Sequence, residues 1–225
     1  MAPWGGQYEN EFEKQVYQAI NIFRANPPRW APIIQETYAK NKLLDTKSQK
    51  DLITAVKAME KMTMIRFDDA LNTAVRSNNV AVTTEDIKEP KEGGNIDVLT
   101  KNDSSIKVEN CQEVTMIEYL GAAAEEFITL MMIKCWENPK AVKEETVVVE
   151  KKEDLLPVVE SDKPKVEEKP AASKETKAVD PKLYAKNCPL FDPLVAKMGI
   201  SNRGHKYKKN VIQMLFMVEQ VNSME

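Results

Sequence analysis

Side chains able to do chemistry are few and scattered in this 225-residue chain. Its one histidine, His205, sits in the basic run Arg203-Gly204-His205-Lys206-Tyr207-Lys208-Lys209. An imidazole can carry a proton near neutral pH, but catalysis needs a nucleophile or carboxylate placed beside it. The run therefore reads as a solvated hairpin tip, or as a small basic patch for an acidic partner surface. Cys111, Cys135 and Cys188 are odd in number, widely spaced and form no C-x-x-C, which fits buried or half-buried free thiols in a reducing compartment. Glu125 and Glu126 resemble a catalytic carboxylate pair, yet neighbours on a helix point about 100° apart and cannot share a substrate. Glu109 is an isolated acid that caps backbone donors or pairs with a cation. The chain has no phosphate loop, no G-x-S-x-G and no Cys/His constellation. These residues predict neither an enzyme nor a cofactor or metal site.

The element around which the rest must pack is Glu118–Trp136, EYLGAAAEEFITLMMIKCW. As a helix it leaves only the narrow stripe of Glu118, Glu125 and Thr129 polar, so it must be covered on several sides. Its paired glutamates and Lys134 make insertion into a bilayer costly, which argues for a core helix and against a membrane span. The net charge of −3 provides no basic field for nucleic acid or anionic lipid. The opening MAPWGGQYEN has neither a basic head nor an apolar core, so no signal peptide is expected and the predicted location is cytoplasmic. The methionine-rich stretches read as packing filler.

In chain order, residues 1–8 read as an extended arm carrying Trp4, which either caps the domain's own core or anchors in a partner. Phe12, Val16, Ala19, Ile20 and Phe23 have helical spacing, and Asn26-Pro27-Pro28 ends that helix. A short helix is expected over Trp30–Tyr38. A third follows caps at Asp45–Ser48 and carries Leu52, Val56, Met59 and Met62, and a fourth is capped by Asp68. Residues 85–105 read as a long loop, and Ile106–Thr115 as an edge strand. Residues 137–182 contain no glycine and no aromatic, and proline punctuates them; they read as a solvated, semi-extended insertion. Leu194–Ile200 is expected to be a strand and Ser201–Lys209 a polar turn. Val211–Val218, apolar on both faces, is expected to be a central strand that closes an antiparallel hairpin. The class is α+β, in three parts: 1–136, the charged insertion 137–182, and 183–225.

Tyr17–Pro27, YQAINIFRANP, with Asn21 and Arg24 three residues apart, resembles the opening helix of the CAP superfamily (SCP domain). Arg66–Val75, Val108-Glu109-Asn110 and Cys188–Phe216 resemble three later family segments, and they occur in the family's order. The resemblance implies an α/β/α sandwich around a small antiparallel sheet, with a cleft that holds two histidines and two acids in many members. This chain departs from the pattern: Lys186 stands where a cleft histidine is expected, and Glu109 is the one matching acid. The implied protein is a non-catalytic CAP-like structural or protein-interaction module. It would form part of a larger assembly, with a cytoskeletal or ciliary lattice (microtubule-associated partners included) as a natural setting. The alternative implied by the family is a lipid- or sterol-binding protein. Partner-binding candidates are Trp4 on the arm, Leu155, Leu156 and Val158 in the insertion, and His205 in the basic run. An aromatic or short apolar group on a solvated segment buries area wherever it docks.

Overall fold

A computed structural model of the chain describes residues 8–40, 48–85, 87, 90–117, 123–137, 188–206 and 208–219. The chain divides into two units, Met1–Pro139 with Val179–Glu225, and Lys140–Ala178. The second unit lies outside the described residues, as do Trp4, Leu155, Leu156 and Val158.

The first unit has six helices among its described residues, α1 (Glu11–Ala25), α2 (Ala31–Lys40), α3 (Gln49–Ala58), α4 (Asp69–Thr84), α5 (Gly94–Asn102) and α6 (Ala124–Glu137). The strands β1 (Arg66–Phe67), β2 (Cys111–Ile117), β3 (Val195–His205) and β4 (Lys209–Val218) form one sheet in the order β1-β3-β4-β2. This is an α+β arrangement with β4 central and β2 at an edge. The sheet is mixed rather than wholly antiparallel, because β1 pairs in parallel with β3, Arg66 opposite Lys197. Two residues are too short to show a period, so nothing in the sequence announced that strand.

Alternation along β4 assigns its neighbours. Ile212, Met214 and Phe216 pack into the main core with α1, α2 and α6, whereas Leu215 joins Leu71, Ala74, Val75 and Leu99 of α4 and α5. On α6, Phe127, Ile128, Met131, Met132, Ile133 and Trp136 are all buried. Thr129 of its narrow stripe is buried too, accepting a bond from Trp30 Nε1 (3.0 Å). Glu125 and Glu126 face outward.

Local signals decide the helix ends. Asn10 caps α1 by accepting the Glu13 amide (3.0 Å), and Asp68 caps α4 by accepting the amides of Ala70 and Leu71 (both 3.1 Å). Ser48 stands at the N-cap of α3 but makes no capping bond there. Helix α3 stops at Ala58, and Met62 is buried from an extended segment whose amide donates to the Arg24 carbonyl (2.8 Å). The sequence had put Met62 on the helix.

Two further expectations are corrected. Residues 94–102 form α5 where a loop was expected. A helix this short owes its stability to packing on α4 through Ile96 and Leu99, which a propensity reading does not register. Ser201–His205 continues β3 rather than turning, with Ser201 opposite Gln213 and Arg203 opposite Val211. A ladder bonds through the backbone, so polar side chains are admitted wherever a neighbour satisfies them.

Candidate functional site

The pair Asn21 and Arg24 projects from the buried face of α1 onto backbone rather than into a cleft. Asn21 donates to the Ile65 carbonyl (3.1 Å) and accepts the Ile65 amide (2.8 Å). The Tyr17 hydroxyl donates to the same carbonyl (2.9 Å). Arg24, fully buried, donates from Nε to the Thr63 carbonyl (2.8 Å) and from Nη1 to the Asp192 carbonyl (2.8 Å). Its Nη2 donates to the carbonyls of Val195 (3.0 Å) and Pro193 (3.4 Å). One planar fork thus clamps the entry to β1 and the entry to β3 onto the same helix. Burial pushes its guanidinium down to about 10, against the opposing pull of Asp192.

A charged cluster lies at the N-terminal end of α1. Glu13 is fully buried, and its carboxylate accepts the amides of Asn202 (2.8 Å) and Glu9 (2.8 Å), with Arg76 Nη2 at 3.7 Å. Loss of water pushes this carboxyl up, while the two backbone bonds and Arg76 pull it back down. Above it, Arg203 pairs with Glu9 (2.9 Å), and Asn10 donates to the Asn202 carbonyl (3.2 Å). Glu9, Thr83, Asn202, Arg203 and Gly204 line an open depression of about 590 Å³ over this cluster. Two carboxylates meet two guanidiniums there, so the depression can hold a polar segment but presents no net charge or nucleophile. A smaller hollow of about 140 Å³ between α1 and the start of α6 is lined by Gln15, Gln18, Ala19, Ile22, Ala123, Ala124 and Glu125. Neither has the largely apolar lining that a sterol or acyl chain needs.

Between α4 and the sheet runs a row of amides. Asn72 Oδ1 accepts the Ile200 amide (3.1 Å), and Asn79 donates to the carbonyls of Ser201 (3.2 Å) and Val211 (3.1 Å). Asn78 donates to Asn95 (2.9 Å) and Gln213 (3.1 Å). Amides neither ionise near neutral pH nor attack, so this row serves as polar adhesive between helix and strand.

His205, expected at a solvated tip, is instead buried at the end of β3, at 5 % exposure. Its Nε2 donates to the Ile87 carbonyl (3.2 Å), and its Nδ1 accepts the Lys208 amide (3.1 Å). The expectation of a solvated tip is corrected: ladder pairing carries His205 inside. Glu109 is exposed on a 3-10 turn, Val108–Asn110, and lines neither depression. Among the described residues no group of three His, Cys, Asp or Glu could hold a metal ion, and no helix is long and apolar enough to cross a membrane.

Glu13, Arg76, Asn79 and Asn202 were missed by the sequence reading. One signal was present for Glu13: it stands three and seven residues before Val16 and Ile20, on the apolar stripe of α1. It also occupies the position that completes an Asn-x-x-Glu capping pattern. No family model matches the chain, and neither a curated protein nor a solved structure matches it.

Proposed function

We propose that this protein is a non-catalytic CAP-like interaction module that binds protein partners through its N-terminal arm and its insertion, as part of a larger cytoskeletal or ciliary assembly. The observation that carries this reading is His205. The chain has one imidazole, and both of its ring nitrogens are engaged with backbone in a buried position. Acid-base or metal chemistry that needs an accessible histidine has none to use. Asn21 and Arg24, the pair that carries the family resemblance, are likewise occupied in clamping the core. Helices against both faces of a small sheet that ends in a hairpin support the α/β/α reading.

The test begins with in-cell cross-linking and mass spectrometry to identify the partner, followed by affinity measurements on purified proteins. The triple change Trp4→Ala, Leu155→Ser and Val158→Ser is expected to weaken binding by about 30-fold or more, roughly 2 kcal/mol, as for truncated hot spots. Glu109→Gln is expected to leave it unchanged. If Glu109→Gln abolishes association and the triple variant binds normally, the arm-and-insertion reading is wrong.

A further inference from the structure

Two of the three thiols meet in the main core. Cys188 is fully buried where the described chain resumes, its carbonyl accepting the Phe191 amide (3.0 Å) in a turn that seats Leu190 and Phe191. Cys135, half-buried on the last turn of α6, packs against the same core as a neighbour of Cys188. Trp136, next to Cys135, sets its ring edge-on to Phe191 with centroids 6.1 Å apart, which joins the end of α6 to the turn after Cys188. Cys111 belongs elsewhere, with the apolar cluster of α4 and α5. No disulfide joins any of the three.

We propose that Cys135 and Cys188 are a reversible redox pair, and that their disulfide staples the end of α6 to the segment leading into β3, closing residues 136–187 into a covalent loop. The oxidant class is a hydroperoxide. Cys135, the more accessible sulfur, attacks the peroxide as thiolate, forming an S–O bond as the O–O bond breaks, and water or an alcohol leaves. The Cys188 sulfur then attacks Cys135, forming the S–S bond as the S–O bond breaks. Water leaves with the Cys188 proton, and two electrons in total pass from the sulfurs to the peroxide. Cys188 is buried and Cys135 half-buried, which assigns the first attack to Cys135; burial also pushes the Cys188 thiol up. The two thiols are neighbours in the same core, and a bridge between them acts mainly on the opened chain. The disulfide would hold both ends of the insertion against local opening, whatever the insertion binds.

The experiment uses the full chain in native buffer. Protein is treated with hydrogen peroxide, unfolded, alkylated and digested, and the thermal midpoint of treated and untreated samples is compared. A peptide pair linked through Cys135 and Cys188 is expected, with Cys111 alkylated. The midpoint should rise by roughly 5–15 °C, the gain for closing a loop of this length. Dithiothreitol should reverse both effects. Cys111→Ser should behave as the parent, and Cys135→Ser should show neither linkage nor shift. Oxidation of Cys135 to sulfinic acid without linkage, equal linkage to Cys111, or thiols left fully alkylatable would each overturn the proposal.

Discussion

Replacing Arg24 by methionine isolates the clamp that joins three parts of the chain. Methionine keeps an unbranched stem of similar reach, so the core loses little apolar contact. What disappears is the fork: the carbonyls of Thr63, Asp192 and Val195 lose donors at 2.8, 2.8 and 3.0 Å. Bonds to a charged donor contribute about 1.5–3 kcal/mol each, which puts the gross loss at roughly 5–9 kcal/mol. Methionine also removes the burden of a desolvated cation. A guanidinium lowered from its ordinary value to about 10 carries a burden on the order of 3 kcal/mol. The net destabilisation expected is about 2–5 kcal/mol, in line with breaking other buried charged contacts. Urea unfolding followed by circular dichroism measures it, as a lower midpoint at unchanged slope. In a thermal scan the midpoint falls by roughly 5–15 °C. Arg24→Lys should lie between parent and Arg24→Met, because one ammonium cannot reach carbonyls in both the 63 and the 192–195 segments. A methionine variant within about 0.5 kcal/mol of the parent would refute the clamp argument, and a lysine variant equal to the parent would show that charge rather than the fork is what matters.

Two further outcomes follow from single contacts. A Cβ added at Gly199 would stand 2.7 Å from Asn72 Cα and closer still to its amide nitrogen. Gly199→Ala must therefore push α4 off β3 and should destabilise by about 3 kcal/mol or more. A purified alanine variant with the parent's urea midpoint would contradict that packing. Glu13 titrates above its usual value of 4.5 in the fold, so the folded state binds its proton more tightly than the unfolded chain does. Its contribution to stability is thus fully present below 4.5 and is lost as pH rises through the raised folded value. Stability measured from pH 4 to pH 8 should fall relative to Glu13→Gln over that window, and parallel curves would show that Glu13 is not perturbed.

What the sequence determined by itself is local. The Asp68 cap, the stop at Asn26-Pro27-Pro28, the largely apolar surface of α6 and the β3–β4 hairpin follow from side-chain period and backbone chemistry within a dozen residues. Those rules operate before any distant contact forms, so a linear string displays them. Only tertiary structure decided what the polar residues do. Arg24 is a clamp because the chain near Asp192 returns to α1, and Glu13 is buried because Asn202 arrives with an amide to satisfy it. His205 is closed to solvent because β3 runs on through a polar stretch and Ile87 supplies the carbonyl. Helix α5 exists because α4 offers it an apolar wall. In each case a desolvated polar group or a marginal helix is stabilised by a partner far away in sequence, and no local pattern encodes the partner's arrival.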